Sequence, residues 1–105
     1  MKAAFALAAL LCTAASATVL ADPQSHVVTI SDFVYKPEKL TVAVGDTVRF
    51  ENKDDVGHTV TAKDGSFDSQ NIDTGKSWTY TFSTAGTYEY FCTVHPSMKG
   101  SVIAQ

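Results

Sequence analysis

Gly86-Thr87-Tyr88-Glu89-Tyr90-Phe91-Cys92-Thr93-Val94-His95-Pro96-Ser97-Met98-Lys99-Gly100 is a strand that runs into a short loop of sulfur and imidazole side chains. Ala85-Gly86 is a turn, and Thr87 to Cys92 is β-branched and aromatic, as a strand demands. Lys99-Gly100 leads into a final strand, Ser101 to Ala104. Upstream, Trp78, Tyr80 and Phe82 share one face while Ser77, Thr79, Thr81 and Ser83 share the other. The same period of two recurs in Thr47 to Asn52, and in Leu40, Val42 and Val44 set against Lys39, Thr41 and Ala43. Val27 to Ile30 and His58 to Ala62 read as two further strands. Gly45-Asp46, Asn52 to Asp55 and Lys63 to Ser66 punctuate them, and Asp64 to Lys76 reads as irregular. Beyond the start of the chain no window holds a helical period. The expectation is therefore an all-β fold, an antiparallel sandwich formed by one domain.

Lys2, the apolar run Ala3 to Leu11 and the small residues after it have the plan of a secretory signal peptide. Cleavage after Ala21 or after Ala17 both suit it; the first divides the chain into a leader, 1–21, and a domain, 22–105. A spanning helix needs roughly 20 apolar residues, more than this uninterrupted run supplies. Lipidation at Cys12 is disfavoured because Leu11 stands where a small residue is expected. Removal of the leader takes Cys12 and leaves Cys92 as the single thiol. A lone thiol in an oxidising compartment forms no internal disulfide, so it calls for another explanation, such as metal ligation. It also excludes a binuclear centre bridged by two thiolates within this chain.

Without Lys2 the chain carries seven basic and eleven acidic side chains, a net charge of −4 with no block of either sign. That balance gives no footprint for nucleic acid or for an anionic membrane. A domain this small has a modest core, and a bound metal would add to its stability.

Cys92, His95 and Met98 supply a thiolate, an imidazole and a thioether in seven residues, and His58 stands 34 positions before Cys92. Taken singly, Met98 reads as a core filler, Cys92 as an inert buried thiol and His58 as a surface residue. Taken jointly, two imidazoles and one thiolate with a weak axial thioether describe a mononuclear copper site of the electron-transfer type. His26 reads as an exposed residue and Trp78 as core.

The block from Gly86 to Val102 resembles the copper-binding end of the cupredoxins, the small blue-copper proteins, and its Cys-x2-His-x2-Met spacing resembles their amicyanin-like branch. Phe33 to Asn52 is also similar to that family's early strands. The resemblance implies a Greek-key sandwich of about eight strands with one copper ion, Cu(I)/Cu(II), at one end. His58, Cys92 and His95 would bind it through the thiolate and both Nδ1 atoms, with Met98 as a longer axial contact. His95 would then be the electron exit, ringed by Val56, Gly57, Val94 and Pro96. Tyr88 resembles the family's corner tyrosine. Two departures stand out: Gly57 where proline is frequent, and Thr59 where an asparagine often ties the ligand loops together.

The function implied is a periplasmic electron carrier, not an enzyme, serving a redox donor and acceptor such as an amine dehydrogenase or a c-type cytochrome. It is expected to be a monomer with no nucleic-acid or membrane partner. Copper storage or delivery is the alternative, weakened by the single methionine left after the leader. A nucleophilic reading of Cys92 and His95 lacks an orienting carboxylate or a recognisable oxyanion hole.

Overall fold

The computed structural model describes residues 22–105; the expected leader, 1–21, lies outside the described residues. Eight strands form: β1 Ser25–Ser31, β2 Val34–Lys36, β3 Lys39–Val42, β4 Thr47–Asn52, β5 Thr61–Ala62, β6 Ser77–Thr81, β7 Gly86–Phe91 and β8 Lys99–Ala104. They make two four-stranded sheets, ordered β2-β1-β4-β6 and β3-β8-β7-β5, and the described residues contain no helix. The all-β sandwich is as the sequence implies, but it is not wholly antiparallel. β1 runs parallel to β4, and β3 runs parallel to β8. The chain changes sheet between β2 and β3 and again between β3 and β4, so neither parallel pair is joined by a hairpin. Strand composition carries no record of such crossings.

Alternation places the core. In β4, Val48, Phe50 and Asn52 face inward while Arg49 is exposed; in β8, Gly100, Val102 and Ala104 do the same. Val28 and Ile30 from β1 and Tyr90 from β7 meet them, and Phe67 and Ile72 plug the space from the irregular segment. Tyr90 sits edge-on to Tyr35 at 4.8 Å and to Phe50 at 5.4 Å, so aromatic contacts join the two sheets. Gly100 lies opposite Tyr90, and a Cβ there would stand 2.6 Å from the tyrosine ring, which only glycine avoids. The Tyr88 hydroxyl donates to the Thr84 carbonyl at 2.6 Å, as a corner tyrosine should. Trp78 is half-buried, packed against the core rather than within it.

Three local expectations change. Val44 is 45% exposed, because β3 ends at Val42 and the chain turns through Gly45 at φ 96°. The strand expected over 58–62 shrinks to Thr61–Ala62. Two of the amides before it serve side chains instead: the Thr59 amide donates to Cys92 Sγ and the Val60 amide to Ser69 Oγ. His26 is not free on the surface. Its side chain is 27% exposed and Nε2 lies 2.9 Å from buried Asp46.

Candidate metal centre

β7 and β8 form a hairpin whose last register pair is Phe91 with Lys99, so Cys92 to Met98 is the connection itself. Two backbone bonds fold it: the Cys92 amide donates to the Met98 carbonyl at 3.2 Å, and the Met98 amide to the His95 carbonyl at 2.9 Å. That fold returns His95 toward Cys92, with His95 Nδ1 3.8 Å from Sγ. His58 arrives from the other side, where it pairs with Ile72 in an isolated bridge, and its Nδ1 lies 3.7 Å from Sγ. The three donor atoms all fall within 4.8 Å of one another. Met98 is buried in the same core cluster as Cys92. The four residues singled out in the sequence thus stand at one end of the sandwich, with three donors converging and the fourth closing the same loop.

The surroundings set the chemistry of each donor. Cys92 is fully buried, and the Thr59 amide donates to its sulfur at 3.3 Å. His58 is fully buried, and Nε2 lies 2.8 Å from Asp54 Oδ2. An ionised carboxylate only accepts, so Nε2 carries the proton and Nδ1 presents a lone pair inward. Asp54 also receives the Asp32 amide at 2.7 Å and the Phe33 amide at 3.0 Å. Burial pushes its carboxyl up, but the bonds from Phe33, Asp32 and His58 together outweigh burial and hold it below the usual carboxylate range.

Thr59, standing where an asparagine often ties the ligand loops, makes a tie of its own. The Thr93 amide donates to Thr59 Oγ1 at 2.9 Å, linking the His58 and Cys92 segments. Thr61 Oγ1 donates to the Asp68 carboxylate, so the 3.0 Å contact between Thr59 and Thr61 has Thr59 as its donor. Its lone pairs then remain for Thr93. Gly57 also has a local reason, since a Cβ there would run into the Asn71 side chain.

Asp54, Asn52 and Phe33 were not singled out from sequence. Asn52 is buried and donates to the carbonyls of Val56 and Ile72 at 2.9 and 2.8 Å while accepting the Asp54 amide at 2.9 Å. It shapes the loop that brings Asp54 under His58. The Phe33 ring stands edge-on to His58 at 5.1 Å and to His95 at 4.8 Å. The Asp54-x3-His58 spacing was a readable signal; Phe33 left none.

The donor set of one thiolate and two imidazoles suits copper, and the geometry allows a single ion to be shared by all three. Residues 2–104 match the family model of the cupredoxin-like domain. The chain belongs to the cupredoxin-like family. Amicyanin of Paracoccus versutus is 35% identical over 96 residues, covering 87% of this chain and 71% of that protein. Amicyanin-alpha of Methylorubrum extorquens is 30% identical over 105 residues, covering 95% and 88%. A solved amicyanin variant in its Cu(I) form superposes with a TM-score of 0.72 at 32% identity, covering 87% of this chain and 90% of that one. Cupredoxins bind one copper ion and transfer electrons; they are not enzymes.

Proposed function

We propose that this chain is a periplasmic shuttle that passes single electrons between a donor and an acceptor protein, its copper held by His58, Cys92, His95 and Met98. The observation that carries the reading is the convergence of both Nδ1 atoms on the buried Cys92 Sγ at 3.7 and 3.8 Å. Copper supplies a one-electron couple between Cu(I) and Cu(II). The protein's part is to keep the donors in place through the change. Thr59 and Thr93 join the loops, Asp54 fixes the His58 ring, and the sandwich behind them is closely packed. Few groups then need to move, and a small rearrangement favours fast transfer.

His58 is sealed from solvent while His95 is only half-buried, so His95 is the imidazole through which an electron would leave. Val56 and Val94, on the two ligand segments, are 43% and 59% exposed, and Pro96 is exposed beside His95. These residues offer a partner a dry contact around that ring. The similarity to amicyanins points to an amine dehydrogenase as donor and a c-type cytochrome as acceptor, and to a monomer as the working form. Residues 1–21 are proposed as the leader that delivers the domain, 22–105, to the periplasm. The storage reading is disfavoured because Met98 is the only methionine among the described residues and is buried.

The test is the visible absorption of the Cu(II) protein. An intense thiolate-to-copper band, lost in Cys92→Ser, is expected; a copper-loaded protein without it would refute the ligand assignment. Capture of the oxidised protein's partners from periplasmic extract would identify the donor and acceptor.

A further inference from the structure

The turn between β1 and β2 is built against its own sequence. Ser31 pairs with Val34, so Asp32 and Phe33 form a two-residue hairpin connection, with φ values of 56° and 61°. A turn with both central residues at positive φ favours Asn, Asp or Gly. Asp32 suits the first position. Phe33 at the second does not, because a bulky side chain in the left-handed region is an outlier that the surroundings must enforce.

The enforcement comes from Asp54. Its carboxylate accepts both turn amides, from Asp32 and from Phe33, and the oxygen bound to Phe33 is the one beside His58 Nε2. One side chain therefore fixes the turn and the His58 ring together. The result is that Phe33, 47% exposed, packs its ring perpendicular to both imidazoles, at interplanar angles of 85° and 88°. A glycine would make the same turn with less strain and would leave both rings uncovered.

We infer that Phe33 is a positioning residue of the metal centre. Its ring holds His58 and His95 in their ligating orientations and keeps water off that side of the site. This rests on the ligand assignment proposed above. Loss of the ring would free His95 first, since the His58 ring has Asp54 and His95 has no side-chain partner on its outer nitrogen among the described contacts.

The test compares Phe33→Gly and Phe33→Asn, both suited to the turn, with Phe33→Tyr, which keeps the ring. Each is studied as apo-protein by denaturant unfolding and as copper protein by chelator competition, visible spectrum and voltammetry. The apo forms of the Gly and Asn variants should be at least as stable as wild type, because turn strain is relieved. Their copper affinity should fall about 10-fold, the scale seen when a ligand's support is removed. Water admitted to the site favours the more highly charged Cu(II). A tenfold greater loss for Cu(I) than for Cu(II) lowers the potential by about 59 mV. Phe33→Tyr should retain wild-type values. If Gly and Asn variants keep wild-type affinity and potential, the inference is overturned while the ligand assignment stands. If the wild-type Cu(II) protein lacks the thiolate band, both fall together.

Discussion

Asp54 does at the residue scale what no single ligand can do alone: it selects the His58 tautomer. With Nε2–H committed to the carboxylate at 2.8 Å, only Nδ1 can face the thiolate. Asp54→Asn keeps the shape but can present its amide nitrogen to Nε2 and so favour the wrong tautomer. Copper affinity should drop by about 10- to 100-fold, measured by competition with a chelator. Thr59 acts through its hydroxyl. Thr59→Val removes the acceptor of the Thr93 amide. The expected cost is about 1–3 kcal/mol, read from denaturant unfolding of the apo-protein. Thr59→Asn should recover part of it, because an amide oxygen can take the same hydrogen bond.

At the element scale, β7 and β8 carry both a constraint and a relaxation. Gly100→Ala would place a methyl 2.6 Å from Tyr90, whose ring is wedged between Tyr35 and Phe50 and cannot yield. Overpacking of this kind costs about 1–3 kcal/mol and should appear as a lowered thermal midpoint. The Tyr90 hydroxyl has no hydrogen-bond partner among the described residues although it is buried. Burial and the nearby Glu38 carboxylate both disfavour its ionisation, so it stays a neutral, unpaired hydroxyl across the working pH range. Tyr90→Phe should therefore leave stability unchanged or raise it by about 1 kcal/mol. A clear loss in unfolding experiments would mean that the hydroxyl has a water or other partner. The double variant, Gly100→Ala with Tyr90→Phe, should be less damaged than the single Gly100 change, because part of the clash is with the hydroxyl oxygen.

For the whole molecule the governing variable is pH. Asp46 lies where the start of β1 meets the turn between β3 and β4. The Gln24 amide, His26 and the Ala43 amide hold its carboxyl below the usual range. Asp64 is lowered too, by Ser66 in its turn. A carboxyl whose folded pKa is depressed adds stability above its unfolded pKa, and that stability disappears as pH falls through the folded value. Apo-protein stability should thus be steady near neutrality and decline below about pH 4, the ordinary carboxylate range. Asp46→Asn should flatten the acid limb, as followed by unfolding at a series of pH values. An unchanged limb would assign acid sensitivity to the other carboxylates.

Most strands of both sheets were readable because alternation is local: Val48, Phe50 and Asn52, or Trp78, Tyr80 and Phe82, declare a face within a few residues; the three-residue β2, Val34–Lys36, is too short to show a period and was not read as a strand. Three of the four candidate ligands were readable for the same reason, since Cys92, His95 and Met98 occupy one hairpin connection. His58 could be named by its chemistry, but its approach to Cys92 depends on how two sheets stack. Parallel pairing of β1 with β4, the Asp54 contact with a turn 22 residues away and the Phe33 ring against both imidazoles were not written in any window of sequence. Each needs segments that are far apart along the chain to meet. Local sequence determined which residues face inward and which donors share a loop, because those depend on backbone period and spacing alone. The tertiary structure decided which tautomer is presented, which loops are tied and which ring covers the site, because those are set by contacts that exist only after the sheets have packed.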